Sequence, residues 1–184
     1  MKSYTINLFL WYLRIAAKLQ LAKIKPKHIV GITGSAGKSS CREAVYAVLK
    51  TKYAVKQSST GNSETGLPLD ILGFEHDPNY STLYWLYVLL LTPVKLLLNW
   101  KKYDVYVAEM GVDSPNEPKN MSYLLKIIRP DIGVFLNVLP VHTEYFPQKT
   151  ENELVSAIAE EKGKLLTTLP KNGWAVLNLD DKKV

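Results

Sequence analysis

Apolar and polar positions along the chain follow two alternating patterns, which predict strands and helices in turn. Short apolar, β-branched runs between loops predict strands at about 28–33, 53–57, 104–110, 131–137 and 174–179. Longer stretches predict helices at about 4–23, 37–50, 116–128 and 151–169, with a short helix ending at Leu72. Strands that alternate with helices favour right-handed βαβ units, so we expect a three-layer α/β fold with helices on both faces of a mainly parallel sheet. Ligands of such sheets bind at the carboxyl ends of the strands.

The most apolar stretch, residues 80–100, shows no polar face when it is drawn as a helix. Its uncharged run from 78 to 94 is at the short limit for a membrane span, and Pro93 and Lys95 lie near one end. We therefore predict a helix that is buried within this chain or against an absent domain, as part of a hydrophobic insertion at about 78–102. Together with the basic N-terminal helix, it also suits peripheral contact with an anionic membrane.

Composition narrows the class of protein. The 184 residues are 47% hydrophobic and 22% charged, which excludes disordered, collagen-like and coiled-coil chains. Cys41 is the only cysteine and no Cys/His cluster has zinc spacing, so a cytoplasmic protein is expected. The net charge of +6 suits anionic ligands, but scattered lysines without an aromatic–basic motif argue against nucleic acid as a partner. We divide the chain into an N-terminal basic, apolar helix (1–26) and an α/β domain (27–184).

The clearest chemical signal is the segment G-I-T-G-S-A-G-K-S-S, residues 31–40, between the first strand and the next helix. Such loops point backbone N–H groups and a helix N-terminus at phosphate oxygens, while Lys38 would face the β- and γ-phosphates and Ser39 would bind Mg²⁺. The spacing G-x-x-x-x-G-K-[ST] fails by one place, because Ile32 stands where glycine is expected. A glycine- and serine-rich turn with an exposed lysine is the alternative. The residues predicted to bind nucleotide are Thr33, Gly34, Ser35, Ala36, Gly37, Lys38, Ser39 and Ser40.

The loop sequence T-G-S-A-G-K-S resembles the ATP loop of the Mur ligase family. Four further segments resemble family motifs in the same order: N-S-E-T-G-L-P-L-D-I-L (62–72), V-A-E-M-G-V (107–112), R-P-D-I-G-V-F-L-N-V-L-P-V-H (129–142) and the region 161–181, which contains E-K-G-K-L and N-L-D-D. The likeness covers about residues 28–181. It implies the central, P-loop-type ATP-binding domain of that family.

The resemblance also implies a function: an ATP-dependent amide ligase of peptidoglycan precursor synthesis, with ATP and Mg²⁺ as cofactors. In this family ATP phosphorylates a substrate carboxylate, and an amine then displaces phosphate from the acyl phosphate. The member type that the chain resembles most adds D-alanyl-D-alanine to a UDP-linked muramoyl tripeptide. Two alternatives stay open: another ligase of the superfamily, of polyglutamate or cyanophycin type, and a nucleotide-binding module without turnover.

Four residues outside the loop gain roles from the resemblance. Glu109 ends an apolar strand and would hold Mg²⁺, although a strand-end acid is often only solvated. His142 would bind a second Mg²⁺ or steady the acyl phosphate, unless it is an ordinary loop histidine. Lys162 would bind Mg²⁺, since the matching lysine of several family members is carbamylated and becomes an anionic ligand; Lys164 is the fallback, and a solvated charged face is the alternative. Asn62 would face the substrate.

The end of the chain carries the last predicted site residue, Asn178. By resemblance it lies near adenine and ribose with Asp180 and Asp181, although N-L-D-D also predicts a plain turn. Family members carry an N-terminal domain for the UDP-sugar and a C-terminal domain that binds the amine. Only one predicted helix precedes the phosphate loop, and the sequence stops just after Asp181. We therefore expect a fragment, or a reduced protein that needs those absent domains as partners.

Overall fold

A computed structural model describes residues 2–59, 61–75, 77, 79, 81–141, 145–146 and 150–184. Helices and strands follow one another in the predicted order: α1 (Lys2–Ile24), β1 (His28–Thr33), α2 (Lys38–Leu49), β2 (Val55–Gln57), α3 (Gly66–Leu72), α4 (Thr82–Leu98), β3 (Val105–Glu109), α5 (Met121–Leu125), β4 (Ile132–Phe135), α6 (Glu151–Thr167) and β5 (Trp174–Leu177). One predicted site residue, His142, lies outside the described residues.

The strands form one parallel sheet in the order β2-β3-β1-β4-β5, which confirms the expected α/β class. β1 lies in the centre, where Val30 pairs with Val107 of β3 on one side and with Ile132 of β4 on the other. Because all strands run in one direction, their carboxyl ends meet at one edge of the sheet. The loops that follow β1, β3 and β4 therefore start side by side.

Helices cover both faces of the sheet. On one face α2 packs through Cys41, Val45 and Leu49 against valine and isoleucine side chains of β1, β3 and β4. On the other face α1, α3, α5 and α6 share a larger core, which includes the fully buried Tyr106 of β3. The strands are apolar on both sides because both sides are covered, as is usual for a parallel sheet.

Within the apolar stretch 80–100, Thr82–Leu98 form α4, which packs on α1 and α3 outside the main core. Its start is capped by Ser81, whose hydroxyl accepts the N–H of Tyr84. Only Val88 and Thr92 of α4 are buried within the described residues, so the expectation of burial in this chain is wrong for its outer side. The other expectation, burial against an absent domain, stays a prediction. In the described part of the chain, no helix is both long and apolar enough to cross a membrane.

The helix expected over 116–128 is shorter than its sequence pattern indicates. α5 begins at Met121, after Asn120, whose side chain accepts the N–H of Tyr123. The amide of the same side chain donates to the carbonyl oxygen of Pro115 and closes a turn before the helix. An asparagine that caps a helix in this way also stops it from extending backwards.

Glycines in the strands allow α6 to pack closely on the sheet. A Cβ at Gly31 would lie 2.8 Å from Pro130 and 3.1 Å from Leu165, and a Cβ at Gly133 would lie 3.1 Å from Leu166. Because these positions lack side chains, α6 lies close to β1 and β4. Its position brings one of its lysines to the loop that follows β1.

Candidate functional site

The loop between β1 and α2 carries the predicted nucleotide-binding residues. Gly37 has a left-handed backbone (φ 78°), which favours glycine, and it is the N-cap of α2 without a side-chain cap. A Cβ at Gly34 would lie 2.9 Å from Leu136. The first N–H groups of α2 thus remain available to an anion, and no acidic side chain lies in its first turn, where Ser39 and Ser40 are exposed.

Asn137, just after β4, holds this loop in place. Its Oδ1 accepts the N–H groups of Ser35 (3.0 Å) and Ala36 (2.8 Å), and its Nδ2 donates to the carbonyl oxygen of Ala36 (3.1 Å). The Ser35 hydroxyl also donates to the carbonyl oxygen of Leu139. On the other side, the Thr33 hydroxyl donates to the carbonyl oxygen of Met110 after β3. The loop is therefore anchored to both neighbouring strand ends before any ligand binds.

Two lysines converge on one carbonyl oxygen of the loop. Lys38 Nζ donates to Gly34 O at 2.9 Å, and Lys162 Nζ of α6 donates to the same oxygen at 3.3 Å. Burial lowers the pKa of Lys162 to about 8, and the nearby positive charge of Lys38 acts in the same direction. Two ammonium groups beside a helix N-terminus make a positive pocket that suits phosphate oxygens.

Lys164, the fallback for Lys162, has a different environment. It pairs with the buried carboxylate of Glu161, whose other oxygen accepts the backbone N–H of Met121 at 2.9 Å. Glu161 therefore links α6 to the start of α5 and keeps Lys164 engaged there. Of the two candidates, Lys162 is the one that contacts the phosphate loop.

Glu109, at the end of β3, connects the phosphate loop with the loop after β2. Its Oε2 accepts the Ser39 hydroxyl at 2.9 Å and lies 3.4 Å from Arg42, while its Oε1 accepts the Asn62 amide at 3.0 Å. Its backbone N–H donates to the Ser58 hydroxyl at 3.0 Å. The carboxylate is buried, yet each of its oxygens has a polar partner.

Asn62 can approach Glu109 because Gly111 has no side chain. The Gly111 N–H donates to the carbonyl oxygen of Asn62 at 2.9 Å, and a Cβ at Gly111 would lie 2.7 Å from Asn62 Cγ. The glycine of the E-M-G segment thus fixes the position of a loop that is distant in sequence. Three of the predicted residues, Ser39, Asn62 and Glu109, therefore form one hydrogen-bonded chain.

The donor set at this edge fits Mg²⁺ in part. Ser39 and Glu109 supply a hydroxyl and a carboxylate, the oxygen ligands that Mg²⁺ prefers, and bound phosphates and water commonly complete such a site. Within the described ranges, no group of three His, Cys, Asp or Glu side chains is placed to hold a metal ion. Lys162 lies beside the same loop, whereas His142 lies outside the described residues.

Asn178 lies at the carboxyl end of β5, next to the segment that carries Asn137. Its Nδ2 donates to the carbonyl oxygen of Leu136 at 2.9 Å, and its Oδ1 accepts the N–H of Asp180 at 3.2 Å. The Asp181 carboxylate accepts the N–H of Val138 at 2.8 Å. These bonds form the plain turn that N-L-D-D also predicts. A contact of Asn178 with adenine stays a prediction.

Two residues of the site were not predicted from the sequence. Asn137 holds the loop through bonds to residues about a hundred positions earlier, and only its place just past a strand at the ligand-binding edge hinted at a role. Arg42 lies on α2, where it donates to the carbonyl oxygen of Ser58 at 2.7 Å and faces Glu109. Its sequence context, beside Glu43 in the middle of a helix, carries no such signal.

Comparison with known proteins agrees with this geometry. The D-alanyl-D-alanine-adding ligase (UDP-N-acetylmuramoyl-tripeptide--D-alanyl-D-alanine ligase) of Escherichia coli (strain K12) is 26% identical over 85% of this chain and 27% of its own length. The enzyme of the same name from Mycobacterium leprae (strain TN) is 30% identical over 85% of this chain and 24% of its own length. The chain thus spans about a quarter of these curated relatives.

Solved structures of Mur ligases are also similar to this chain. The MurF ligase from Thermotoga maritima in complex with ADP superposes with a TM-score of 0.68 at 28% identity, covering 93% of this chain and 32% of that one. MurF from Acinetobacter baumannii has a TM-score of 0.67 at 18% identity and shows the fold alone. The model of the Mur ligase middle domain matches residues 32–184. Since that match covers most of the chain and includes the phosphate loop, the chain belongs to the Mur ligase family, as its motifs predicted.

Proposed function

We propose that this chain is the nucleotide-binding part of an ATP-dependent amide ligase of peptidoglycan precursor synthesis, which adds D-alanyl-D-alanine to UDP-muramoyl tripeptide. The observation that carries the proposal is the meeting of two lysines and a helix N-terminus with the Ser39–Glu109 pair at one sheet edge. The names of the curated relatives and the ADP complex of the Thermotoga maritima enzyme support the same reaction.

Each residue of the site has a part in this proposal. The α2 amides and Lys38 bind the phosphates and withdraw charge from the group being transferred. Ser39 and Glu109 would hold Mg²⁺, which when bound neutralises charge on the β- and γ-phosphates. Asn62 orients Glu109 from the substrate side, and Asn137 keeps the loop amides aligned.

Lys162 has two possible states in this proposal. Because its pKa is about 8, the Lys162 side chain is a neutral amine in a fraction of the molecules near neutral pH. A neutral amine adds to CO₂, forming an N–C bond and releasing a proton, and the product is an anionic carbamate. The ammonium form would attract phosphate, whereas the carbamate would attract Mg²⁺. A ¹³C NMR spectrum in ¹³CO₂-enriched buffer distinguishes them, because Lys162→Ala would lose a carbamate signal that Lys164→Ala retains.

A nucleotide-binding module without turnover is the second candidate. The observation in its favour is that the chain spans only about a quarter of the length of the relatives it matches. Both candidates require nucleotide binding at the same loop. They differ in whether the bound phosphoryl group is transferred to a carboxylate.

Calorimetry with a non-hydrolysable ATP analogue and Mg²⁺ tests the shared step. We expect Lys38→Ala to weaken binding at least tenfold, because its ammonium group lies at the phosphate loop. Lys50→Ala, at the other end of α2, is the matched control and should bind like the unmodified chain. Equal affinity of all three proteins would refute the phosphate-loop assignment and both candidate functions with it.

A further inference from the structure

The outer surface of α1 and α4 is apolar where surface helices are normally polar. In α4 the outward stripe is Leu83, Tyr87, Leu90, Val94 and Leu97, spaced three or four residues apart. The three leucines are 77, 63 and 72% exposed. By contrast, the outward positions of α6 are polar or charged, as in Asn152, Glu153, Ser156 and Glu160.

α1 extends this surface beside α4. Phe9 packs edge-on against Trp85, with ring centroids 5.3 Å apart, and the Tyr12 hydroxyl donates to the carbonyl oxygen of Leu89. Further along both helices, Gln20 donates to the carbonyl oxygen of Asn99. Because the contacts advance in step, the two helices run parallel and side by side. The exposed apolar side chains that α1 adds are Tyr4, Ile6, Leu8, Trp11 and Leu19.

An apolar groove lies on the same layer, between the N-terminal halves of the two helices. It has a volume of about 480 Å³, and its lining includes Ile6, Phe9, Trp85 and Leu89. Exposed apolar surface of this extent is unusual on a monomeric protein and marks an interaction site. We call the surface formed by α1, α4 and this groove the α1–α4 face.

Charge identifies the partner of the α1–α4 face. Residues 2–27 contain six Lys or Arg side chains and residues 81–102 contain three, and neither segment contains Asp or Glu. Since the whole chain has a net charge of +6, all the remaining residues together are acidic by three charges. The basic excess of the protein therefore lies entirely in this apolar layer.

The lysines cluster at one end of the α1–α4 face. Lys25, Lys101 and Lys102 are exposed beyond the C-terminal ends of the two helices, and Lys18 is exposed on α1 itself. An apolar surface bordered by lysines matches the boundary between acyl chains and anionic headgroups. A second copy of the chain fits poorly, because it would bring two strongly basic layers together.

We propose that the α1–α4 face docks on an anionic membrane surface and holds the protein there as a peripheral protein. Leu83, Leu90 and Leu97 enter the acyl boundary, while the lysines contact headgroup phosphates. The proposal does not depend on the nucleotide-binding function. The phosphate loop lies at the carboxyl edge of the sheet, whereas Lys25 and Lys102 lie close to the starts of β1 and β3, towards the opposite edge.

Co-sedimentation of the 184-residue chain with vesicles tests the proposal. We expect binding to vesicles of phosphatidylcholine with phosphatidylglycerol, weaker binding to phosphatidylcholine alone, and a loss of affinity as salt is added. Trp11 and Trp100 are 51 and 63% exposed, so their fluorescence should shift to the blue on binding. Leu90→Ser combined with Leu97→Ser should weaken binding roughly tenfold or more, because both side chains leave water on docking.

Two control variants separate the surface from general hydrophobicity and charge. Val48→Ser replaces a valine on α2 that is 69% exposed, and it should bind vesicles like the unmodified chain. Lys101→Gln with Lys102→Gln should weaken binding to anionic vesicles roughly tenfold, whereas Lys50→Gln with Lys52→Gln should not. Circular dichroism confirms that each variant is folded.

Two outcomes would overturn the membrane proposal. The folded chain fails to bind anionic vesicles, or the leucine variant binds as well as the Val48→Ser control. If vesicle binding is absent and light scattering shows a dimer that the leucine variant abolishes, a second copy covers the face. Nucleotide affinity should be unchanged in all of these variants, so failure here leaves the proposed function intact.

Discussion

At the end of β3, a single carboxylate bonds to both loops that would surround a nucleotide. Ser39 and Asn62 occupy the two oxygens of Glu109 at 2.9 and 3.0 Å. Glu109→Gln keeps the shape of the side chain but removes the charge that would attract Mg²⁺. We expect the variant to fold normally. The gain in nucleotide affinity that Mg²⁺ produces should fall roughly tenfold or more.

Calorimetry at several Mg²⁺ concentrations measures this effect, and circular dichroism checks the fold. Glu160→Gln, an exposed acid on α6, is the matched control and should retain the Mg²⁺ dependence. If Glu109→Gln and the control respond to Mg²⁺ alike, then Glu109 only fastens the two loops and holds no metal.

The pKa of Lys162 predicts a pH dependence of stability. Its pKa is about 8 in the folded chain and 10.5 when unperturbed, so between these values the unfolded chain binds a proton that the folded chain has lost. The free energy of unfolding therefore rises with pH across that window, by on the order of 3 kcal/mol at most. Lys162→Met should lack this contribution.

Urea denaturation just below pH 8 and near pH 10, in CO₂-free buffer, measures the difference between the two proteins. Titration of the tyrosines affects both proteins and cancels in that difference. An equal change of stability with pH in wild type and Lys162→Met would show that Lys162 keeps an ordinary pKa.

Residues of the site differ in how well the sequence predicts them. Lys38, Ser39 and Glu109 stand in short local motifs at strand ends, where the chemistry is readable from a few neighbours. Asn137 and Arg42 gain their roles from partners distant in sequence or on another element, so no local pattern marks them. Lys162 lies in a charged helical segment that looks solvated, and only its packing against the sheet shows that it is buried.

At the scale of elements, the contact between α6 and the sheet sets the place of Lys162. Gly31→Ala would insert a Cβ 2.8 Å from Pro130 and 2.9 Å from Met110 Sδ, and we expect it to destabilise the fold by about 1–3 kcal/mol. Nucleotide affinity should fall as well, because a displaced α6 moves Lys162 away from the phosphate loop.

Gly163 on the same helix offers a matched control. A Cβ there would meet nothing within 4 Å, so Gly163→Ala should stabilise the protein by about 0.5–1 kcal/mol through helix propensity. Urea denaturation of both variants measures the two effects. If Gly31→Ala were as stable as the unmodified chain, the close approach of α6 would not matter for the fold.

The order of strands and helices was predictable because the spacing of apolar residues and the loop residues between elements indicate the same boundaries along most of the chain. The start of α5 was not, since Asn120 caps the helix inside a stretch whose pattern predicts a helix from about residue 116. The outer side of α4 was also missed: the sequence shows that the helix is apolar all round, but which part of it has a neighbour depends on packing.

At the scale of the whole molecule, this chain is expected to bind nucleotide without completing the ligation. Amide formation requires a carboxylate and an amine held near the γ-phosphate, and the described residues form only the phosphate side of such a site. Incubation with UDP-muramoyl tripeptide, D-alanyl-D-alanine and Mg·ATP, followed by mass spectrometry, should give no product. A product peak that is absent with Lys38→Ala would show that these 184 residues suffice.

The central place of β1 affects how the protein is made on the ribosome. β1 is synthesised before its partners β3 and β4, which start only at Val105 and Ile132. At about 5–20 residues per second, the interval of roughly a hundred residues between β1 and β4 lasts on the order of 5–20 s. Both edges of this apolar strand stay open until β3 emerges, and the edge that pairs with β4 stays open until β4 emerges. We therefore expect the growing chain to be most prone to aggregation before β4 emerges.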